Sequence, residues 1–291
     1  MKIGRRDILA AIVAAASLYP CAASAQQNAG PLTSEQIAHI LASPDRSAAD
    51  RTNDLRRKPE AMLAFIGIRP GIVALDLSAV GGYTTELLAR AIGPSGTVYG
   101  QSRPRVPSQP PTRPAVAEGN SHPSATPTPP PVAPAGGPRP SPVALAERDK
   151  NLRDAGIPAA SIVAVVRPFE DPLPPELAAD RIDLVTLMFN YHDLGHMGAD
   201  RTAMNHAVFR ALKPHGLYVI ADHSGRTGTG ITESGTLHRI EEAFLRQEVE
   251  AAGFKLLEEA TFLRNPNDPR DKNTPDPPQP KDEFVLKFIK P

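Results

Sequence analysis

Residues 74–88 constrain the fold of this chain more than any other stretch. An apolar run ends at Asp76, a turn of mostly small residues extends from Ser78 to Gly82, and residues that favour a helix follow. A strand, a short turn and a helix in this order form the first part of a βαβ unit. The glycines give the turn access to conformations that other residues avoid. The pattern predicts a parallel α/β sheet.

The rest of the chain repeats this alternation of apolar strands and helices. Residues 182–189 are almost continuously apolar, as expected for a strand that is covered on both faces. Strands are predicted at 72–77, 97–100, 162–166, 182–189, 217–221, 254–260 and 284–289, and the main helices at 84–92, 145–155, 200–212 and 237–252. This order predicts a mostly parallel sheet whose last strands close it.

Residues 1–25 resemble a signal peptide. Arg5 and Arg6 precede an apolar stretch too short to span a bilayer, and an Ala-Ser-Ala cleavage pattern ends at Ala25. The adjacent arginines resemble a twin-arginine signal. We therefore expect a periplasmic or secreted protein with no stable membrane insertion after cleavage. The single cysteine, Cys21, lies in this segment, so the mature chain would contain no disulfide.

The charge balance argues against a nucleic-acid partner. The chain has 32 basic and 32 acidic residues. Loss of Lys2, Arg5, Arg6 and Asp7 with the signal would leave 29 and 31. A mature net charge of about −2 provides no electrostatic attraction to phosphates.

Residues 103–142 differ in composition from the rest of the chain. They contain 14 of the 33 prolines, mixed with Ser, Thr, Ala and Gly. Such a segment buries too little apolar surface to offset its ordering entropy, so it is predicted to be a disordered insertion. A polyproline docking tract is the alternative. The mature chain, residues 26–291, would then be one domain that this insertion interrupts.

Several motifs resemble the class I S-adenosylmethionine-dependent methyltransferases. The turn after Asp76 resembles the family's D/E-x-G-x-G-x-G, with Ser78 and Val80 at the first two glycine positions. Residues 212–217 resemble its L-K-P-G-G-x turn, and residues 252–254 its A-G-F motif. Residues 189–194 and 262–271 resemble a narrower group of exported bacterial predicted methyltransferases.

The resemblance implies a Rossmann-like fold with a seven-stranded sheet and a C-terminal antiparallel hairpin. It also implies S-adenosylmethionine as cofactor and a small molecule as methyl acceptor. Gln101 stands where the family places the acid that binds the ribose hydroxyls. Transferred residue by residue, the cofactor site comprises Asp76, Ser78, Gly81, Gly82, Tyr83, Gln101, Phe169, Glu170, Asp171 and Asn190.

Histidines and aspartates follow the fourth and fifth predicted strands. Because parallel strands end at the same edge of a sheet, His192, Asp193, Asp222 and His223 should meet there. A histidine oriented by an aspartate could act as the base for methyl transfer. His206 and His238 fall within predicted helices and are interpreted as solvent-side or capping residues.

Three hypotheses follow, and whether the chain is an enzyme stays open. The first is an exported methyltransferase. The second is a catalytically silent protein of the same fold, which the replacements at Ser78, Val80 and Gln101 favour. The third is a metal-dependent hydrolase in which His196 joins the four residues above, although the preferred site contains no metal. The methyl acceptor and the oligomeric state stay open.

Overall fold

The computed structural model describes residues 30–104, 139–275 and 277–291. The predicted signal segment 1–25, and all but the ends of the predicted insertion 103–142, lie outside the described residues, so both stay predictions.

Seven strands form a single sheet. They are β1 (Val73–Leu77), β2 (Thr97–Ser102), β3 (Ser161–Val166), β4 (Ile182–Met188), β5 (Leu212–His223), β6 (Lys255–Ala260) and β7 (Glu283–Ile289). Their order is β3-β2-β1-β4-β5-β7-β6. The first five are parallel, and β7 pairs antiparallel with both β5 and β6. The predicted mostly parallel sheet with an antiparallel C-terminal hairpin is confirmed.

Nine helices flank or cap this sheet in the described ranges. They are α1 (Ser34–Ala42), α2 (Ala48–Arg57), α3 (Pro59–Ile66), α4 (Tyr83–Ile92), α5 (Ser141–Asp154), α6 (Asp193–His196), α7 (Arg201–Ala211), α8 (Ser234–Leu237) and α9 (Glu242–Ala251). Among these described residues, none of the helices has the length and apolar character needed to cross a membrane.

Both faces of the central strands are buried. In β1, Ala74 belongs to one apolar cluster, while Leu75 and Leu77 belong to the other. This distribution follows from the two-residue period of a strand, which sends successive side chains to opposite faces. Two packed faces hold the central strands rigidly, so the loops at their ends have a fixed frame.

The strand order reverses between β1 and β4. The chain first builds outward from β1 to β2 and β3, and then returns to the other side of β1. The carboxyl ends of β1 and β4 therefore lie side by side where the helices diverge to opposite faces. In open α/β sheets this switch point is where ligands bind.

The structure corrects one helix boundary of the sequence prediction and adds two segments that the sequence does not predict. The helix predicted at 237–252 begins only at Glu242, and residues 238–241 form an irregular segment. Helix α2 is not predicted, because its sequence is strongly polar and has no apolar stripe. An N-cap at Ser47 and ion pairs stabilise it. Between β3 and β4, the only described helical segment is a single 3₁₀ turn at Pro175–Leu177, which leaves Val163 and Val166 exposed.

Candidate functional site

The turn after β1 keeps a glycine-like backbone without its glycines. Ser78 and Val80 have φ of +56° and +47°, and Gly82, the N-cap of α4, has φ of +78°. Non-glycine residues rarely adopt positive φ, and a β-branched residue does so at a real energetic cost. Phe189, directly after β4, has φ of +59°. Three strained non-glycine residues thus lie at the switch point.

Hydrogen bonds to the neighbouring strands hold Ser78 in place. Its backbone N–H donates to Gln101 Oε1 at 3.0 Å, and its hydroxyl donates to Asn190 Oδ1 at 2.6 Å. Gln101 is fully buried and donates through Nε2 to the carbonyl of Arg167 at 2.6 Å. Both ends of the Gln101 amide therefore connect the ends of β1, β2 and β3.

Asp76 is turned away from the edge of the sheet. It is buried, and its two oxygens accept hydrogen bonds from the hydroxyls of Thr85 at 2.6 Å and Thr186 at 2.8 Å. Burial raises the pKa of Asp76 to about 6, although the two hydroxyl groups oppose this shift. Asp76 therefore connects β1, α4 and β4 through hydrogen bonds to neutral groups, and the charge of Arg57 acts on its carboxylate without a hydrogen bond.

Helix α5 packs directly on the turn. A Cβ at Gly82 would meet Leu145 Cδ2 at 2.7 Å and Arg148 Cδ at 2.8 Å, and the φ of +78° also favours glycine there. The carbonyl of Gly81 accepts a hydrogen bond from Arg148 Nε at 2.6 Å. At Gly81 itself a Cβ would meet no atom within 4 Å, and Val80 is 60% exposed, so the tip of the turn is open to solvent.

Helix α2 covers the adjoining end of β4. The guanidinium groups of Arg56 and Arg57 lie 4.7 and 4.6 Å from the centre of the Phe189 ring. The Tyr83 hydroxyl donates to Asp54 Oδ1 at 2.7 Å, so the first residue of α4 is bonded to α2. A helix that the sequence does not predict therefore forms one wall of this edge.

The residues predicted to hold an adenine ring do not converge with the turn. Phe169 is 4% exposed and belongs to the apolar core. Glu170 accepts a hydrogen bond from the backbone N–H of Asp200, and Asp171 pairs with Arg167. Of the ten predicted cofactor residues, the structure brings Ser78, Gly81, Gly82, Tyr83, Gln101 and Asn190 together around the turn.

The four predicted catalytic residues do meet, at the ends of β4 and β5. His192 and Asp222 are both fully buried, and His192 Nδ1 lies 2.6 Å from Asp222 Oδ1. The backbone N–H of His192 donates to the second Asp222 oxygen at 2.7 Å. Although burial opposes it, the carboxylates of Asp222 and Asp193 raise the pKa of His192 to about 10. His192 is therefore protonated near neutral pH.

His223 lies on the other side of His192. The two ring centres are 5.2 Å apart, and His223 Nδ1 lies 3.0 Å from Glu283 Oε1. Glu283 in turn forms an ion pair with Arg56 at 2.6 Å. A series of contacts thus extends from Arg56 of α2 through Glu283 and His223 to His192 across the edge of the sheet.

The structure adds His238 to this group. Its Nδ1 lies 2.8 Å from Asp193 Oδ1, and Asn190 Nδ2 donates to the other oxygen of Asp193 at 2.9 Å. Although burial opposes it, His192 and His238 lower the pKa of Asp193. The prediction that His238 lies within a helix is wrong, because it lies between α8 and α9 with φ of +51°. The alternative interpretation as a capping residue agrees with the structure, in which His238 is the left-handed C-cap of α8.

Among the described residues, His192, Asp193 and His238 form a group that could hold a metal ion. Their three ligand atoms lie within 4.8 Å of one another.

No protein-family model and no curated protein matches the sequence. Among solved structures, a SAM-dependent methyltransferase from Aquifex aeolicus is 14% identical, with a TM-score of 0.50 over 89% of this chain and 100% of the other. The putative methyltransferase from Haloferax volcanii, solved with the Trm112 methyltransferase activator, is 17% identical, with a TM-score of 0.50 over 89% of this chain and 99% of the other. The chain therefore has the fold of class I S-adenosylmethionine-dependent methyltransferases.

Proposed function

We propose that this protein binds S-adenosylmethionine at the turn after β1 and transfers its methyl group to a small-molecule acceptor. One observation carries the proposal: of the eight described non-glycine residues with positive φ, three, Ser78, Val80 and Phe189, lie together at the switch point of the sheet. Strain of this kind costs stability and persists where the surrounding structure maintains it, commonly at ligand sites. Here the conformation of the glycine-rich turn is kept although two of its glycines are absent.

The chain fits this cofactor at the turn itself. The open space at Gly81, just before the start of α4, leaves room for a ligand beside the backbone. Ser78, Gly81, Gly82 and Tyr83 would hold the ligand, and Asn190 would fix the turn through its bond to Ser78. When bound, S-adenosylmethionine supplies an electrophilic methyl group.

The acceptor side of the proposed site comprises His192, Asp193, Asp222 and His223. A nucleophile in methyl transfer must be positioned in line, and it needs a base if it carries a proton. Two carboxylates keep His192 protonated, so we assign proton acceptance to His223 and positioning to His192. The packing of the two imidazole rings would keep these roles adjacent.

Calorimetric titration with S-adenosylmethionine and S-adenosylhomocysteine tests the proposal. We expect one site per chain with micromolar affinity, about −8 kcal/mol. Gly82→Ala, which would force a side chain against Leu145 in a positive-φ residue, should abolish this binding. Gly198→Ala is the control, because Gly198 also has positive φ (+67°) but has open space and lies away from the turn. Binding unaffected by Gly82→Ala would contradict the assignment.

Export is a further part of the proposal, supported by residues 1–25. Replacement of Arg5 and Arg6 by lysine should retain the protein inside the cell if a twin-arginine signal directs it. Unchanged export of this variant would contradict that route.

One observation favours the silent alternative. Gln101 is neutral and uses both ends of its amide within the protein, so it offers no charged acceptor to a ribose. A protein of this fold that binds a different ligand or a partner, and not this cofactor, would show no heat with either compound.

A further inference from the structure

His192 presents a buried nitrogen that lacks a hydrogen-bond partner. The side chain is fully buried, and Nε2 lies 3.1 Å from Asp193 Oδ1 without the alignment of a hydrogen bond. Buried polar atoms are almost always paired, and each exception calls for a physical reason. A role as a ligand to a bound ion is one such reason.

Asp222 orients this nitrogen. One Asp222 oxygen binds His192 Nδ1 at 2.6 Å and the other binds the backbone N–H of His192 at 2.7 Å. A carboxylate behind one imidazole nitrogen fixes the ring and directs the other nitrogen outward, as in carboxylate–histidine–metal arrangements. The neighbouring ring of His223 packs beside His192 and limits its rotation.

Two further ligand groups face the same point. Asp193 Oδ1 lies 3.1 Å from His192 Nε2 and 2.8 Å from His238 Nδ1. Two ligand atoms bound tetrahedrally to zinc at about 2.0–2.1 Å would be about 3.3 Å apart. The two separations from Asp193 differ from this value by a few tenths of an ångström. All three ligand atoms lie within 4.8 Å of one another, so the two imidazoles would move toward each other to enclose one ion.

The position of His238 is fixed by its neighbour in the chain. Arg239 is fully buried, pairs with Asp268 at 2.8 Å, and donates to the carbonyls of Ser224 and Lys272. This explains the motif at 262–271, whose loop anchors Arg239. His238 is thereby held in its left-handed conformation beside Asp193 before any ligand arrives.

We propose that His192 Nε2, Asp193 and His238 bind one divalent transition-metal ion of the zinc or iron(II) class. A histidine ligates a metal only in its neutral form, so the ion would displace the Nε2 proton of His192 and release it to solvent. Two imidazoles and one carboxylate suit these ions, whereas magnesium and calcium prefer oxygen ligands. The side chains of Asp193 and His238 are 18% and 20% exposed, so the remaining coordination positions face solvent. An ion with open positions binds an oxygen or nitrogen of a small molecule and acidifies it. The site does not depend on methyl transfer.

Zinc titration of the full chain tests this proposal. The protein is stripped with a chelator, and the Cys21→Ser background removes a thiol that would also bind zinc. We expect one zinc per chain with micromolar or tighter affinity. His238→Asn, which retains a residue tolerant of positive φ, and Asp193→Asn should each weaken binding at least about 100-fold.

His206→Asn is the matched control, because His206 lies exposed on α7 and outside the cluster. It should retain the zinc affinity of the parent chain within about twofold. Cobalt(II) provides an independent readout, since a site with two nitrogen ligands and one oxygen ligand should give visible absorption that His238→Asn abolishes. Absence of zinc binding in the parent chain, or equal affinity in all three variants, would overturn the proposal.

Discussion

The two halves of the sheet's carboxyl edge differ in what they present to a ligand, backbone in one half and charged side chains in the other. At the ends of β1 and β2, the backbone N–H of Ser78 donates a hydrogen bond to Gln101, and the turn contains strained residues with positive φ. At the ends of β4 and β5, charged side chains accumulate, and His192 Nε2 is without a hydrogen-bond partner. The first half maintains a backbone shape, whereas the second presents ligand atoms. Asn190 joins the halves through Ser78 and Asp193.

Two buried aspartates show the contrast most clearly. The side chains that donate hydrogen bonds to Asp76 are two hydroxyls, and burial raises its pKa to about 6. Asp222 faces the imidazole of His192, a cation near neutral pH. The same substitution at the two positions should therefore have opposite consequences.

The largest effect is expected for Asp222→Asn. Asparagine would turn an N–H group toward the N–H donors around His192 and would remove the charge that balances the imidazolium. Loss of one partner of a buried ion pair costs about 3–5 kcal/mol. Urea unfolding at pH 7 measures this change. A loss of unfolding free energy below about 1 kcal/mol would contradict the view that Asp222 balances a buried positive charge.

Asp76→Asn should have the opposite sign at neutral pH. The folded pKa of Asp76, about 6, exceeds its ordinary value of 3.8, so the folded state favours the protonated form. The stability that this carboxyl contributes is present below about pH 4 and is lost as pH rises through 6. Relative to the parent chain, the variant should gain about 2 kcal/mol between pH 4 and 7. Parallel stability curves for the two proteins would contradict this account.

Gln101→Glu should destabilise the protein rather than restore a ribose-binding acid. A glutamate oxygen would replace Nε2 and face the carbonyl of Arg167. One oxygen of the newly buried carboxylate would then face another acceptor instead of a donor. The cost should be about 1–3 kcal/mol. Gln36→Glu is the control, because glutamate is equally suited to the third position of the α1 capping box. Thermal unfolding of the two variants compares them.

The smallest change in stability is expected for Val80→Gly. Glycine relieves a positive φ at a side chain that is 60% exposed, so the gain should be at most about 1 kcal/mol. Affinity for S-adenosylmethionine should rise, because a branched side chain leaves the tip of the turn. Val166→Gly is the control, since Val166 is also exposed but lies in regular β3 and should lose stability. Loss of cofactor affinity in Val80→Gly would contradict the proposed role of the turn.

The sequence is sufficient to predict the sheet because its signals are local. Apolar runs, the small-residue turn after Asp76 and the glycine that ends α9 each act within a few residues. The meeting of His192, Asp193, Asp222 and His223 follows from the common edge of parallel strands.

Long-range contacts explain what the sequence does not predict. The apolar periodicity around His238 predicts a helix. The contact that holds the segment in another conformation joins Arg239 to Asp268, 29 residues after Arg239, and no local pattern reveals it. The sequence shows that residue 101 is a neutral glutamine. It does not show that both ends of its amide are hydrogen-bonded, because the partners, Ser78 and Arg167, follow other strands. The strongly polar α2 lacks an apolar stripe and is stabilised by partners such as Arg148, which is 98 residues from Asp50.

A crystal of the full chain grown with S-adenosylhomocysteine and zinc chloride tests most directly whether the two halves accept different ligands. We predict density for S-adenosylhomocysteine against residues 78–82, together with one zinc-edge anomalous peak bounded by His192 Nε2, Asp193 and His238. A turn without S-adenosylhomocysteine, together with a zinc peak outside this triad, would contradict the account.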